Sequence, residues 1–334
     1  MLPFSISRLI ISCVGLILCL NTSAQDPQFS QYYNNPIYLN PAYAGNTRQY
    51  QFIFNSRFQW TNTPARYVSN AFSAEGNFAQ SNSGVALQVL HDRAGTGDLT
   101  YASAAGIYAY KAKLNRNTLL SIGLKGSLNQ RYFDLSKLTL ASDIADNQSN
   151  VGFNRINQKV SYADFGTGLI INTRLWSFGF AVDHLLRPNY QFGETNSKLP
   201  LKYSAHGSYE HVIARFHKKH IIKSITFSGN YKGQEEWDQL ELGAYYTYYE
   251  VMAGLYYRGL PIQQTVPDNF NQDALILLVG YKWKGLKVFY SYDITVSRIY
   301  ANTGGSHELS LVTIYPFNPK KRLRSHRMMP CPKF

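Results

Sequence analysis

From Tyr50 to Phe317 the sequence alternates apolar and polar side chains at period two, the spacing that sends successive side chains to opposite faces of a strand. In SITFSGNYKG, Ile225, Phe227 and Tyr231 alternate with Ser224, Thr226, Ser228, Asn230 and Lys232. In SIGLKGSLNQ, Ile122, Leu124 and Leu128 alternate with Ser121, Lys125, Ser127 and Asn129. QLELGAYYTYY sets Leu240, Leu242, Tyr246 and Tyr248 against Gln239, Glu241 and Thr247. Fourteen such segments are expected, beginning with 50–61 and 67–79 and ending with 273–285, 286–297 and 305–317. The short connectors at Asn172 to Arg174 and Lys284 to Leu286 imply hairpins, and longer ones are expected near 135–160, 186–201 and 260–272. No amphipathic helix interrupts the pattern, so the chain reads as all-β.

Alternation alone does not say which face is inside. A soluble sandwich turns its apolar face onto a dry core, whereas a membrane barrel turns it to lipid and keeps a polar lumen. Three features favour a transmembrane antiparallel β-barrel of about 14 strands. The strand number is even, and the strands run to about 10 residues or more, the length a tilted membrane strand needs. The chain also opens on a leader: Arg8 precedes an apolar run from Leu9 to Leu20, and Thr22 and Ala24 supply small residues before Gln25. Residues 1–24 read as a secretory signal peptide cut after Ala24. Cys19 follows Leu16, Ile17 and Leu18 rather than small residues, which argues against lipidation. The longest later apolar run, Ala274 to Val279, is too short for a membrane helix. Aromatic residues make up 15% of the chain and gather at segment ends, at Tyr245, Tyr246, Tyr248, Tyr249, Tyr256, Tyr257, Tyr281, Trp283, Tyr315 and Phe317. They suit girdles at the lipid headgroups, although Tyr also has a high strand propensity of its own.

Chemistry-bearing motifs are scarce. Cys331 alone remains once the leader's Cys13 and Cys19 are gone, so no internal disulfide is expected. His211, His217 and His220 flank Lys218 and Lys219 with no fixed carboxylate or cysteine partner, and read as a solvated hairpin rather than a metal site. Gly95 and Gly97 in AGTGDL lack the third glycine and the helix of a dinucleotide fingerprint, and read as a turn. No G-x-S-x-G elbow occurs. Neither catalytic residues, a cofactor nor a metal is expected. The formal charge is +13, but one positive charge lies in the leader and six lie in the last seventeen residues, which leaves +6 between them. The basic tail at 318–334 includes Lys320, Lys321, Arg322, Arg324 and Arg327. With an even strand count both termini fall on one side, normally the periplasmic one, so these residues are candidates for contact with anionic lipid or a periplasmic protein; a solvated extension is the alternative. An exported chain seldom meets nucleic acid, and that partner is not expected.

Between leader and first strand lies the segment 25–49, which contains DPQFSQYYNNPIYLNPAYAGN from Asp26 to Asn46. That block resembles the PorP/SprF family of type IX secretion system outer-membrane proteins of Bacteroidota. The resemblance continues through RFQW at Arg57 to Trp60, LHDRAG at Leu90 to Gly95, DHLLRPNYQF at Asp183 to Phe192 followed by LPLKYSAHGSYE at Leu199 to Glu210, and YSYDITVSRIYANTGGSHELSL at Tyr290 to Leu311. It covers essentially the whole mature chain. It implies an outer-membrane barrel, here at 50–317, related in shape to long-chain fatty acid transporters and serving secretion or gliding motility. It further implies acceptance of particular exported proteins, such as adhesins, through a C-terminal sorting domain, and a connection to periplasmic components. The alternative is a transporter of a hydrophobic small molecule.

Pro27, Pro36 and Pro41 lack amide donors and restrict the residues before them, so an extended, turn-containing segment is expected rather than a regular helix. Because it precedes the first strand, it is expected to begin on the periplasmic side. Its aromatic residues are too many to leave in water, and its amides suit a polar lumen. The segment is therefore read as a plug inside the barrel or as a docking element outside it, with Asp26, Pro27, Gln28, Phe29, Tyr32, Tyr33, Asn40, Pro41 and Gly45 as candidate residues; Gly45 would release the chain into the first strand. In YSYDITVS and HELSL, Asp293 and Glu308 share the polar face with Ser291 and Ser310, which makes both candidate lumen groups. Facing lipid would cost such a carboxylate roughly 2 kcal/mol near the midplane.

Overall fold

The computed structural model describes residues 26–315, except 48, 64–65, 79, 96, 134–157, 191, 193–196, 217–219, 236, 267–268 and 297–302. Fourteen strands follow one another: β1 (Tyr50–Gln59), β2 (Tyr67–Phe78), β3 (Ser83–Ala94), β4 (Leu99–Lys113), β5 (Leu119–Phe133), β6 (Gln158–Asn172), β7 (Trp176–Asp183), β8 (Lys202–Phe216), β9 (His220–Gln234), β10 (Trp237–Tyr248), β11 (Val251–Val266), β12 (Asn269–Trp283), β13 (Leu286–Thr295) and β14 (Ser306–Tyr315). Each pairs antiparallel with its neighbours, and β1 pairs with β14 from Tyr50↔Tyr315 to Gln59↔Ser306, which closes the barrel. Closure gives every strand a partner on both sides, the condition for a sheet that stands in lipid, while at one end β6 runs past β7 and pairs with it only from Thr167 to Asn172. No helix among the described residues is long and apolar enough to cross a membrane.

The two faces are inverted relative to a soluble protein. Leu87, Leu124, Leu128, Phe178 and Val279 are exposed on the outside, Leu128 at 72%, while Arg57, Ser121, Glu241, Ser291 and Ser310 are buried within. This is the alternation of the sequence carried into space, with the apolar set facing lipid. At one end, where β1 starts and β14 stops, the connections are tight, as at 249–250 and 284–285; at the other lie the long segments 134–157 and 184–201. Short turns face the periplasm and long loops the exterior in barrels of this kind. The first end is therefore called periplasmic below and the second external.

Two expectations need correction. The connector expected at 260–272 is mostly strand, with only 267–268 between β11 and β12. Register shifts between Arg258 and Gly259 and between Leu260 and Gln264 absorb Pro261, which cannot donate to a ladder and is tolerated at such irregularities. Tyr245 and Tyr256 do not belong to an outer girdle but are buried inside the barrel. Each stands across from a glycine, Tyr245 from Gly254 and Tyr256 from Gly243, which gives the ring room to lie over the sheet. Tyr246, Tyr248, Tyr249, Tyr281, Trp283 and Tyr315 are exposed at the periplasmic rim; Tyr257 is half-buried, and Phe317 lies outside the described residues.

Candidate functional site

The N-terminal segment lies in the lumen. It is not extended but folds as three single turns: a 3-10 turn at Tyr32–Asn34, one α-helical turn at Pro36–Leu39, and a second 3-10 turn at Pro41–Tyr43. Pro36 and Pro41 start their turns, where the missing amide is no loss and the fixed φ already suits a helix. The Asn40 side chain bridges two of the turns, accepting a hydrogen bond from the Ala42 amide at 2.9 Å and donating to the Leu169 and Phe180 carbonyls of β6 and β7. The segment also runs opposite to expectation. Asp26 sits at the external end beside His184 and Lys202, and Gly45 sits at the periplasmic end against β2 and β3. Preceding the first strand fixes only where the segment leaves the lumen, not where it starts.

The wall is shaped for it. A Cβ added at Gly84, Gly123 or Gly168 would strike Ala44, Ala42 or Asn40, so β3, β5 and β6 lack side chains where the last turn lies against them. Gly45 has φ +61°, and a Cβ there would sit 2.6 Å from the Gly76 carbonyl oxygen. Its own amide donates to Glu75 at 2.8 Å, and its carbonyl accepts from Lys111 and Asn77. Tyr33 stacks on Tyr256 at 5.2 Å, Tyr32 packs edge-on to Tyr33, and the Tyr32 hydroxyl donates to Ser228. Phe29 packs edge-on to Tyr38 in a second cluster with Ala71 and Leu90, and the Tyr38 hydroxyl donates to the Pro27 carbonyl.

Buried charges hold the first half of the segment. Glu308 accepts from the Ser30 and Gln31 amides at 2.6 and 3.2 Å. Asp293 accepts from the Ser30 hydroxyl at 2.5 Å, from Arg57 at 3.1 Å and from Arg258 at 2.9 Å. Arg57 also donates to the Gln28 carbonyl, and the Gln28 side chain donates to Gln239. Arg57 and Arg258 are each 2% exposed. Isolated buried charges of this kind are costly, and removing one partner from such a set leaves the other uncompensated. A second set surrounds Asp26, which accepts from Lys202 at 2.8 Å and from His184 Nε2 at 2.9 Å, while His184 Nδ1 reaches Asp164 at 2.6 Å. Burial opposes ionisation of Asp26, but Lys202 and His184 outweigh it and hold the carboxyl well below its ordinary range. Burial likewise opposes the His184 imidazolium, but Asp26 and Asp164 overcome it and raise its pKa to about 9.

All eleven residues singled out in the segment and on the strands thus meet in one lumen assembly. Its other half is poorly marked in sequence. Arg258 stands out as a charge inside LYYRGL, and Arg57 and His184 fall in the RFQW and DHLLRPNYQF blocks. Lys202 falls in LPLKYSAHGSYE, while Glu75, Lys111 and the wall glycines carry no signal of their own. Lys320, Lys321, Arg322, Arg324 and Arg327 lie outside the described residues, as does the leader.

A closed fourteen-stranded barrel with lipid-facing apolar residues and its own amino-terminal segment in the lumen defines the class: a β-barrel protein of the outer membrane. Residues 21–313 match the family described as Type IX secretion system membrane protein PorP/SprF, and the chain belongs to that family. The fold is similar to that of the Pseudomonas putida toluene transporter TodX, at 9% identity and a TM-score of 0.50, covering 84% of this chain and 93% of that one. A Pseudomonas aeruginosa FadL homologue is also similar, at 13% identity, with 84% and 93% covered and a TM-score of 0.45. The Acinetobacter baumannii outer membrane protein Omp33 aligns at 8% identity over 82% of this chain and 100% of its own, with a TM-score of 0.42. No curated protein sequence matches the chain.

Proposed function

We propose that the protein is a non-enzymatic docking component of the type IX machinery, which anchors particular exported proteins through their C-terminal sorting domain and connects with periplasmic components. One observation carries this reading beyond the family: the lumen is occupied by a segment bonded to the wall from β1 to β14, through Arg57, Glu75, Lys111, Ser228, Asp293 and Glu308. A barrel arranged in this way is better suited to present a fixed surface than to pass a polypeptide. The basic tail, Lys320 to Arg327, is the proposed periplasmic contact, and residues 1–24 are proposed to be removed on export. Deleting the gene should abolish surface display of the client adhesins while other outer-membrane proteins remain. Unchanged display in the deletion strain would refute the reading. Cross-linked partners recovered from native membranes should be lost when residues 318–334 are removed.

A second reading draws on the fold likeness to TodX, whose described role is toluene transport. An apolar solute crossing this lumen would have to pass Arg57, Arg258, Asp293 and Glu308, all buried and charged. That reading predicts hydrocarbon uptake lost, and client display kept, in the same deletion strain.

A further inference from the structure

Above Asp26 and Gln28, at the external end of the lumen, is a cavity of about 400 Å³ that none of the roles above uses. Its walls come from lumen-facing positions at the external ends of β1 to β6 and β10. Five aromatic side chains line it: Trp60, Tyr67, Tyr101, Tyr162 and Trp237. Trp60 stands at φ +59°, a left-handed conformation uncommon for so bulky a residue and one that collects at functional positions. It is held there by its amide, which donates to the Gly305 carbonyl at 2.8 Å, and by edge-to-face packing on Tyr67 at 5.2 Å.

The polar groups between the rings narrow the ligand. The cavity holds two cations, Arg57 and Arg131, and two anions, Asp26 and Asp92. Arg57 is bound by Asp293, Asp26 by His184 and Lys202, and Asp92 by the Ser69 hydroxyl, while Arg131 lies over the Tyr190 ring at 4.8 Å. Balanced charges of this kind do not select an ion, and such a polar wall does not select a hydrocarbon. Aromatic faces interleaved with amides, hydroxyls and planar charged groups, in a concave site of this size, instead match a molecule with both C–H faces and hydroxyl edges. We infer that the external cavity is a binding site for a neutral carbohydrate, a class of ligand independent of the client reading above.

The test uses the full-length barrel in an amine-oxide detergent, since detergents with sugar headgroups would compete. Maltohexaose, cellohexaose, laminarihexaose and mannohexaose are titrated and followed by saturation-transfer NMR. At least one should bind, and Trp237→Ala should weaken it about tenfold, the loss of one aromatic platform. Trp237 is half exposed at the rim, so the variant should keep its heat-modifiable band on gels. Trp283→Ala, at the opposite rim, should bind as the parent does. Absence of binding by all four sugars would overturn the inference, as would equal binding by Trp237→Ala or equal weakening by Trp283→Ala. Displacement of the sugar by a sorting-domain peptide, with tighter peptide binding, would reassign the cavity to the client.

Discussion

Gly45 and the Asp26 to His184 pair terminate the lumen segment at its two ends, and each makes a prediction of its own. Gly45→Ala would force a Cβ into a left-handed backbone and against the Gly76 carbonyl, a combined cost of about 2 to 4 kcal/mol. The unfolding midpoint, read from heat-modifiable migration, should fall, whereas alanine at Gly95, where a Cβ meets nothing within 4 Å, should cost only the strain of its φ of +71°. At the other end the signs differ between the two groups. His184 is raised from an ordinary value near 6.5 to about 9, so its contribution is full below about 6.5 and fades as pH rises through about 9. Asp26 is lowered, so its contribution is full above an ordinary value near 3.8 and is lost as pH falls below it. Protection of the Ser30 and Gln31 amides, taken relative to the intrinsic exchange rate at each pH, should therefore be greatest between these limits and fall on either side, and His184→Gln should flatten the alkaline limb alone. Unchanged protection at pH 10 would show that the pair does not hold the segment. These residues were unevenly legible. Asp293 and Glu308 are readable from strand parity, but Lys111 and Glu75 gain meaning only when β4 and β2 close around Gly45.

The fourteen strands were legible because alternation is local and survives one residue at a time. A plug-like segment before the first strand is readable from its aromatic and amide content, but its three turns and its direction are not, because they depend on Gly84, Gly123 and Gly168, which lie on three different strands. Proline breaks a helix interior, yet Pro36 and Pro41 each open a turn. The direction can be tested by labelling. In a Cys331→Ser background, a cysteine at Gln28 should react with a membrane-impermeant maleimide on intact cells, since Gln28 lines the external cavity. A cysteine at Gln49, exposed next to the start of β1, should react only after the outer membrane is permeabilised. The reverse pattern would invert the barrel or the segment. Deleting Asp26 to Tyr38 removes both Tyr32 and Tyr33 from the aromatic cluster and leaves Arg57 without the Gln28 carbonyl and Arg258 without the Ser30 hydroxyl. The heat-modifiable species should be lost or strongly destabilised. A fully stable barrel that fails to display client would instead make the segment a docking element.

For the molecule as a whole, the question is whether the barrel is a conduit. A fourteen-stranded wall is wide enough to leave a lumen, but here the segment spans it from Asp26 at the external end to Gly45 at the periplasmic end. The walls grip it by side chains, by carbonyls and by the absence of side chains at the glycines, so a partial shift would break buried ion pairs as well as ring contacts. Planar-bilayer recordings of the purified protein should accordingly show no steady open-channel current. Loosening the grip without deleting the segment offers the sharper comparison: Glu308→Ala removes the acceptor for two backbone amides and leaves Arg57 with one carboxylate fewer. That change should give brief openings in an otherwise silent barrel, and adding Asp26→Ala, which frees the far end, should lengthen them. Steady current through the parent protein would place the permeation path beside the segment and favour transport. Silence in the double variant would mean that the aromatic core, rather than the charges, keeps the lumen shut.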